Sequence, residues 1–214
     1  MSEVSVRYKI EEREISALDN VSLTIPPGGY TLGVVGESGS GKTTLGMSIL
    51  NSIERPGVLR AKSILFEGKD VLKLKKSELR KYRWQDVSMV YQSAMNSLNP
   101  VKNITDPIAE VMIEHNGESK SEAREKAVKL LSQVGIRPER AGDYPHEMSG
   151  GMRQRVVIAL ALALSPKLLI ADEPTSALDV VVQKQILALL KNEISRFNNF
   201  TGIHHSYVVN QSMQ

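Results

Sequence analysis

The chain has 214 residues, 27 Lys and Arg against 24 Asp and Glu for a net charge of +3, and no cysteine. That length can bury one substantial core, while the missing cysteine excludes disulfides, thiolate metal sites and cysteine nucleophiles and suits a reducing cytoplasm. The small basic excess, with no concentrated Lys/Arg stripe, argues against a nucleic-acid partner.

In chain order, residues 4–8 and 21–25 alternate apolar and polar positions, which predicts two strands, with Pro26-Pro27-Gly28-Gly29 as the turn that follows. The N-terminal segment MSEVSVRYKIEERE carries acids where a secretory signal has its apolar core. A third strand over residues 31–35 runs into a glycine-rich loop, and a helical pattern over 43–53 comes after it.

That loop, Gly36-Glu37-Ser38-Gly39-Ser40-Gly41-Lys42-Thr43, fits the phosphate-loop pattern. Its glycines let successive backbone N–H groups converge on phosphate oxygens at a helix N-terminus. Chance supplies the four constrained positions in under about 1% of chains of this length, so a merely flexible glycine loop is the weaker reading. Lys42 is expected to reach the β- and γ-phosphates of ATP, and the Thr43 hydroxyl to ligate Mg²⁺.

The basic run 69–83 reads as a solvated helix face, since no interleaved aromatics offer base stacking. From about 93 to 147 the texture changes to polar turns followed by amphipathic patterns at 108–115 and 121–134, which predicts an inserted helical subdomain. Met148-Ser149-Gly150-Gly151-Met152-Arg153-Gln154-Arg155 opens a further helix over 151–164. Its serine and glycines make either a second anion site or a plain N-cap. The apolar stretch 156–164 is too short to span a bilayer, so at a membrane another chain must anchor this one.

The run 168–171 is a buried strand that ends in Asp172 and Glu173. One acid thus stands at the strand edge where the phosphate loop also opens. Asp172 is the metal-side acid and Glu173 the candidate base for an attacking water; acids that only end a strand or cap the next helix are the competing explanation. A last helix is expected over 180–197.

Taken together these motifs resemble the ATP-binding subunits of ABC transporters over about residues 5–192. GESGSGKTT, SLNPV, YPHEMSGG and ADEPTSALDVVVQ are most similar to the oligopeptide/dipeptide importer group. YPHEMSGGMRQR resembles the signature ordinarily written LSGGQ, with Met148 for the leucine and Met152 for the glutamine. The resemblance implies a head-to-tail pair of subunits, identical or related, in which Ser149, Gly150 and Gly151 touch the partner's nucleotide.

It further implies that Gly36, Ser38, Gly39, Ser40, Gly41, Lys42, Thr43 and Thr44 hold ATP, that Gln92 links the metal and attacking water to the helical subdomain, and that Asp179 crosses the dimer interface. Tyr8 would stack on adenine, and His205, with His204 as its rival, would contact the γ-phosphate. The implied fold is α/β: a P-loop NTPase core (1–92 and 156–214) with an N-terminal antiparallel β-subdomain, and a helical subdomain over 93–155 that carries the signature.

The implied partners are permease transmembrane subunits, and the implied place is the cytoplasmic face of the cell membrane, held peripherally. Oligosaccharide import is the alternative cargo. The chain departs from the family near its end: Asn198-Asn199-Phe200-Thr201-Gly202 stands where an apolar strand precedes the switch histidine, Ser206 stands where an acid follows it, and the sequence stops at Gln214 short of the closing elements. Weakened hydrolysis with retained nucleotide binding, as in a truncated or regulatory form, is the expectation drawn from that departure.

Overall fold

The computed structural model describes residues 1–11, 13–26, 31–91, 98–174, 180–186, 188 and 206–212, the last stretch as backbone. Its frame is a four-stranded parallel sheet in the order β3-β9-β8-β7, formed by β3 (Thr31–Gly36), β9 (Ser206–Ser212), β8 (Leu168–Asp172) and β7 (Val87–Val90). β8 is buried along its whole length. Leu168 and Ile170 join the cluster that holds Leu45 and Ile49, whereas Leu169 joins the one that holds Val156 and Ile158. Period-2 alternation that is apolar on both faces is what a parallel strand covered by helices requires.

The helix covering the first of those faces is α1 (Lys42–Ile49), where Gly46 lies so close to the sheet that an added Cβ would stand 3.1 Å from Ile170 Cγ2. The expected helix over 43–53 stops early because Asn51 takes φ +49, a left-handed conformation that ends the helical run. A separate antiparallel sheet, β2-β1-β4, is built from β1 (Val4–Ile10), β2 (Arg13–Val21) and β4 (Gly57–Arg60). A two-stranded ribbon of β5 (Leu65–Phe66) and β6 (Lys69–Asp70) follows it.

The expected strand over 21–25 is corrected: the ladder ends at Val21. Leu23 instead exchanges two hydrogen bonds with Met1, N–H to carbonyl at 3.0 Å and ammonium to carbonyl at 2.9 Å, while Leu23 and Ile25 pack on the core. The alternation there therefore records burial rather than a strand. β2 itself escapes sequence reading because most of its side chains are exposed. The basic run 69–83 is not one helix either: after β6 it forms a short 3-10 turn, the helix α2 (Lys76–Lys81) and a π-turn over Tyr82–Asp86.

The helical part packs α3 (Thr105–Asn116) and α4 (Lys120–Gln133) against α5 (Gly150–Leu162) through Ile108, Met112, Ala127, Leu131, Val157 and Ile158. α4 starts with a reciprocal cap in which Glu122 N–H donates to Ser119 Oγ and Ser119 N–H donates to the Glu122 carboxylate. Residues 180–186 and 188 are also helical, and the other residues of the helix expected to reach 197 lie outside the described residues, as do Pro27, Gly28 and Gly29. The tail contributes β9, which the polar sequence around it had concealed.

Tyr82 ties the π-turn to the core: its hydroxyl donates to the Ile49 carbonyl at 2.8 Å, at the end of α1. Burial, with the Asp86 carboxylate nearby, pushes the phenol well above its ordinary value. A raised folded-state value means the unfolded chain releases this proton first, so stability is intact below about pH 10 and falls as pH rises past it. Tyr82→Phe is expected to cost about 1 kcal/mol at neutral pH and to flatten the alkaline loss, as read by urea unfolding between pH 7 and 11.

Candidate functional site

Parallel pairing brings two chemically distinct strand ends to one edge. β3 delivers the phosphate loop at Gly36, β8 ends in Asp172, and β9 runs between them with Ser212 in register with Gly36 and Asn210 with Asp172. Asp172 is buried, 2% exposed. Glu173 turns out of the strand with φ +45, an uncommon backbone conformation for a residue with a side chain, and that turn brings it to the rim of a recess of about 220 Å³ lined by Ala17, Ser38, Gly39, Gly41, Lys42, Thr43, Thr44 and Glu173.

The recess is built to hold negative charge. Gly41 is the N-cap of α1 and supplies no side-chain acceptor, so the first-turn amides of the helix face the loop with their dipole. Lys42 Nζ donates to the carbonyls of Gly36 and Glu37, both at 2.9 Å. An ammonium has three donors, so the two carbonyls aim the group across the loop and leave the third for a phosphate oxygen. The Thr43 hydroxyl at this recess and the carboxylate of Asp172, which ends the neighbouring β8, are hard oxygen donors of the kind Mg²⁺ takes, and the residues present fit that ion.

Gly41 has a second duty that its sequence pattern does not reveal. With φ +90, it presses against β2, where an added Cβ would lie 2.3 Å from the Ala17 carbonyl oxygen. Ala17 thus joins the site through its backbone, and nothing in its residue type signals this. Tyr8 is on β1, opposite Ile15 and packed over Gly57, where an added Cβ would meet its ring at 2.7 Å. It is not among the residues that line the recess.

The serine-glycine end is a separate place in the fold. Ser149 caps α5, accepting from Met152 N–H at 3.4 Å, and is itself exposed. None of residues 148–155 lines the phosphate-loop recess. Gly151 is required for packing: an added Cβ would stand 2.7 Å from Val182 Cγ1, so the helical segment 180–186 rests directly on the first turn of α5. Arg155 reinforces that contact, donating to the Val134 carbonyl at 2.8 Å and to Gln185 Oε1 at 2.9 Å. Gln92, Asp179, His204 and His205 lie outside the described residues.

Comparison with known proteins places this geometry. Residues 18–176 match the family model described as "ABC transporter". The oligopeptide transport ATP-binding protein OppD of Bacillus subtilis is 46% identical over 195 residues, 90% of this chain and 54% of its own length. A putative peptide import ATP-binding protein of Brucella melitensis, BMEII0863, is 48% identical over 193 residues, covering 86% of this chain and 56% of its own. The chain therefore spans a little over half the length of these relatives. Among solved structures, the dimeric post-hydrolysis state of the ATP-binding cassette MJ0796 bound to ADP and Pi superposes with a TM-score of 0.79 at 30% identity, covering 98% of this chain and 86% of that one.

The close approach at Gly41 is the most easily tested element of the site. Gly41→Ala adds a methyl that collides with backbone and removes a residue suited to positive φ. It is expected to weaken nucleotide binding about tenfold or more and to lower the unfolding midpoint, whereas Gly39→Ala, whose added Cβ meets nothing within 4 Å, is expected to retain the packing against β2. Titration of both variants with a fluorescent ATP analogue, beside thermal melts, checks the ordering.

Proposed function

The chain belongs to the ABC transporter ATP-binding family, and from that premise we propose that it binds and hydrolyses ATP to energise an importer of oligopeptides or dipeptides. The single observation that carries the reading is the recess in which Lys42, the N-terminus of α1 and Glu173 converge. The peptide cargo is supported by relatives that are named for oligopeptide transport and peptide import.

In the proposed reaction Gly36, Ser38, Gly39, Ser40, Gly41 and Thr44 hold the phosphates, while Lys42 offsets their charge. Thr43, Asp172 and Gln92 would hold Mg²⁺, which would supply charge neutralisation to the phosphates. Glu173 accepts a proton from a water whose oxygen bonds to the γ-phosphorus in line. The bond to the bridging oxygen breaks, and its electron pair leaves with ADP. Ser149, Gly150 and Gly151 bind the nucleotide of a second subunit, identical or related; Asp179 crosses that interface, Tyr8 stacks on adenine and His205 contacts the γ-phosphate.

We read residues 93–155 as the helical subdomain that meets the permease; α3 and α4 share one hydrophobic cluster, which continues through Val156 and Ile158 to Leu169 of the core. No helix among the described residues is long and apolar enough to cross a membrane; in this reading the permease subunits hold the chain peripherally at the cytoplasmic face.

Single-turnover hydrolysis with Mg²⁺ tests the reading. The wild type is expected to convert bound ATP, Glu173→Gln to bind with turnover slowed about 10²-fold or more, and Lys42→Ala to lose binding by about tenfold or more. Wild-type turnover that survives Glu173→Gln unchanged contradicts the assigned base, and binding without any wild-type turnover identifies a regulatory form.

A further inference from the structure

One guanidinium spans the junction on either side of Ser149. Arg140, at the end of the short turn Pro138–Arg140, donates through Nε to Asp143 Oδ2 at 2.6 Å, through Nη2 to the Glu147 carbonyl at 3.0 Å and through Nη1 to Met152 Sδ at 3.2 Å. Glu147 closes the turn that leads into α5, and Met152 is the third residue of that helix. A planar fork with fixed donor directions suits this task, since the carboxylate at one edge orients the other two bonds.

The same loop is fastened to the helical pair. Asp143 accepts from Ile104 N–H at 3.0 Å through its carbonyl, just ahead of α3. Glu147 turns its carboxylate back onto Tyr144 N–H at 2.7 Å, so the Pro145–Glu147 turn is closed on itself before Arg140 takes hold of it. Arg153 braces the inner side, donating to the Met148 carbonyl at 2.8 Å. A thioether is a weak acceptor, so the carboxylate and the carbonyl carry most of the hold, and Met152 supplies a soft contact that completes it.

We propose that Arg140 is a positioning residue that fixes the aim of Ser149, Gly150 and Gly151 at the nucleotide of a second subunit by locking the start of α5 to the start of α3. This rests on the reading that the α5 end touches a partner's triphosphate. Arg140 does not line the phosphate-loop recess, so it acts between subunits and leaves nucleotide binding within one chain unaltered.

The experiment compares Arg140→Met, Arg140→Lys, Met152→Leu and Met152→Gln in the Glu173→Gln background. ATP-dependent self-association is followed by sedimentation, ATP affinity at protein concentrations too low for association, and amide hydrogen exchange across residues 147–152. Arg140→Met is expected to weaken ATP-dependent association about tenfold or more, to leave single-chain ATP affinity within about twofold and to speed exchange over 147–152. Arg140→Lys is expected to restore part of the association, and Met152→Gln to retain it through an amide acceptor.

Unchanged association in Arg140→Met overturns the proposal, as does an equal loss of single-chain ATP affinity, which marks a general structural defect. If the parent chain does not associate with ATP at all, the head-to-tail reading fails for identical copies and the exchange data decide for Arg140: unaltered protection over 147–152 refutes the link, and faster exchange confined to that segment supports it. Should Arg140→Met not fold, Met152→Leu removes one arm of the same fork and is read by the same exchange measurement, with a smaller rise expected.

Discussion

Parallel strand direction is the constraint on which the site depends. Because β3, β8 and β9 all point the same way, the phosphate loop that leaves β3 and the acids that end β8 must emerge at one edge. An antiparallel β8 would carry Asp172 and Glu173 to the far side of the sheet, with the same residues and no shared recess. The burial of β8 on both faces maintains that direction: α1 covers Leu168 and Ile170, and the α5 cluster covers Leu169. Register is strongly specified where both faces are apolar, so the position of the acid pair is an outcome of core packing.

Local backbone chemistry then shapes the recess. Gly41 adopts a left-handed conformation against the Ala17 carbonyl, and Lys42 is drawn over the loop by two of that loop's own carbonyls. The site thus combines steric and hydrogen-bonded restraint with charge: the helix dipole, the ammonium and the first-turn amides are aimed before any anion arrives, which is the kind of preorganisation that makes electrostatic stabilisation effective. At the start of α5, Ser149 stands on a turn held by Arg140 and Arg153, and Gly151 admits Val182 where any side chain would exclude it.

Much of this is legible in the sequence because glycine, lysine and acid spacing carry direct physical meaning. The strand, glycine-rich loop and helix around residues 36–43, the buried strand ending in Asp172, and the helix starts near Lys42 and Gly150 are all found where residue pattern places them. What escaped reading escaped for identifiable reasons. β2 is an exposed strand of mixed polarity, Ala17 contributes only a carbonyl, and the Arg140 fork reaches from one short turn across the next into α5, so the 140/143 and 140/147 spacings do not reveal it without the fold. The alternation over 21–25 misled because burial alone, without a ladder, produces the same period.

The central claim is that the recess between the phosphate loop and the end of β8 is an ATP site. A crystal structure of the chain with ATP and Mg²⁺ tests it most directly. The account predicts phosphate oxygens over the amides of residues 39–44, Lys42 Nζ within hydrogen-bonding distance of the β- and γ-phosphates, and Glu173 facing the γ-phosphorus. A nucleotide bound elsewhere, or phosphates in the recess with Glu173 turned away from the γ-phosphorus, would contradict it.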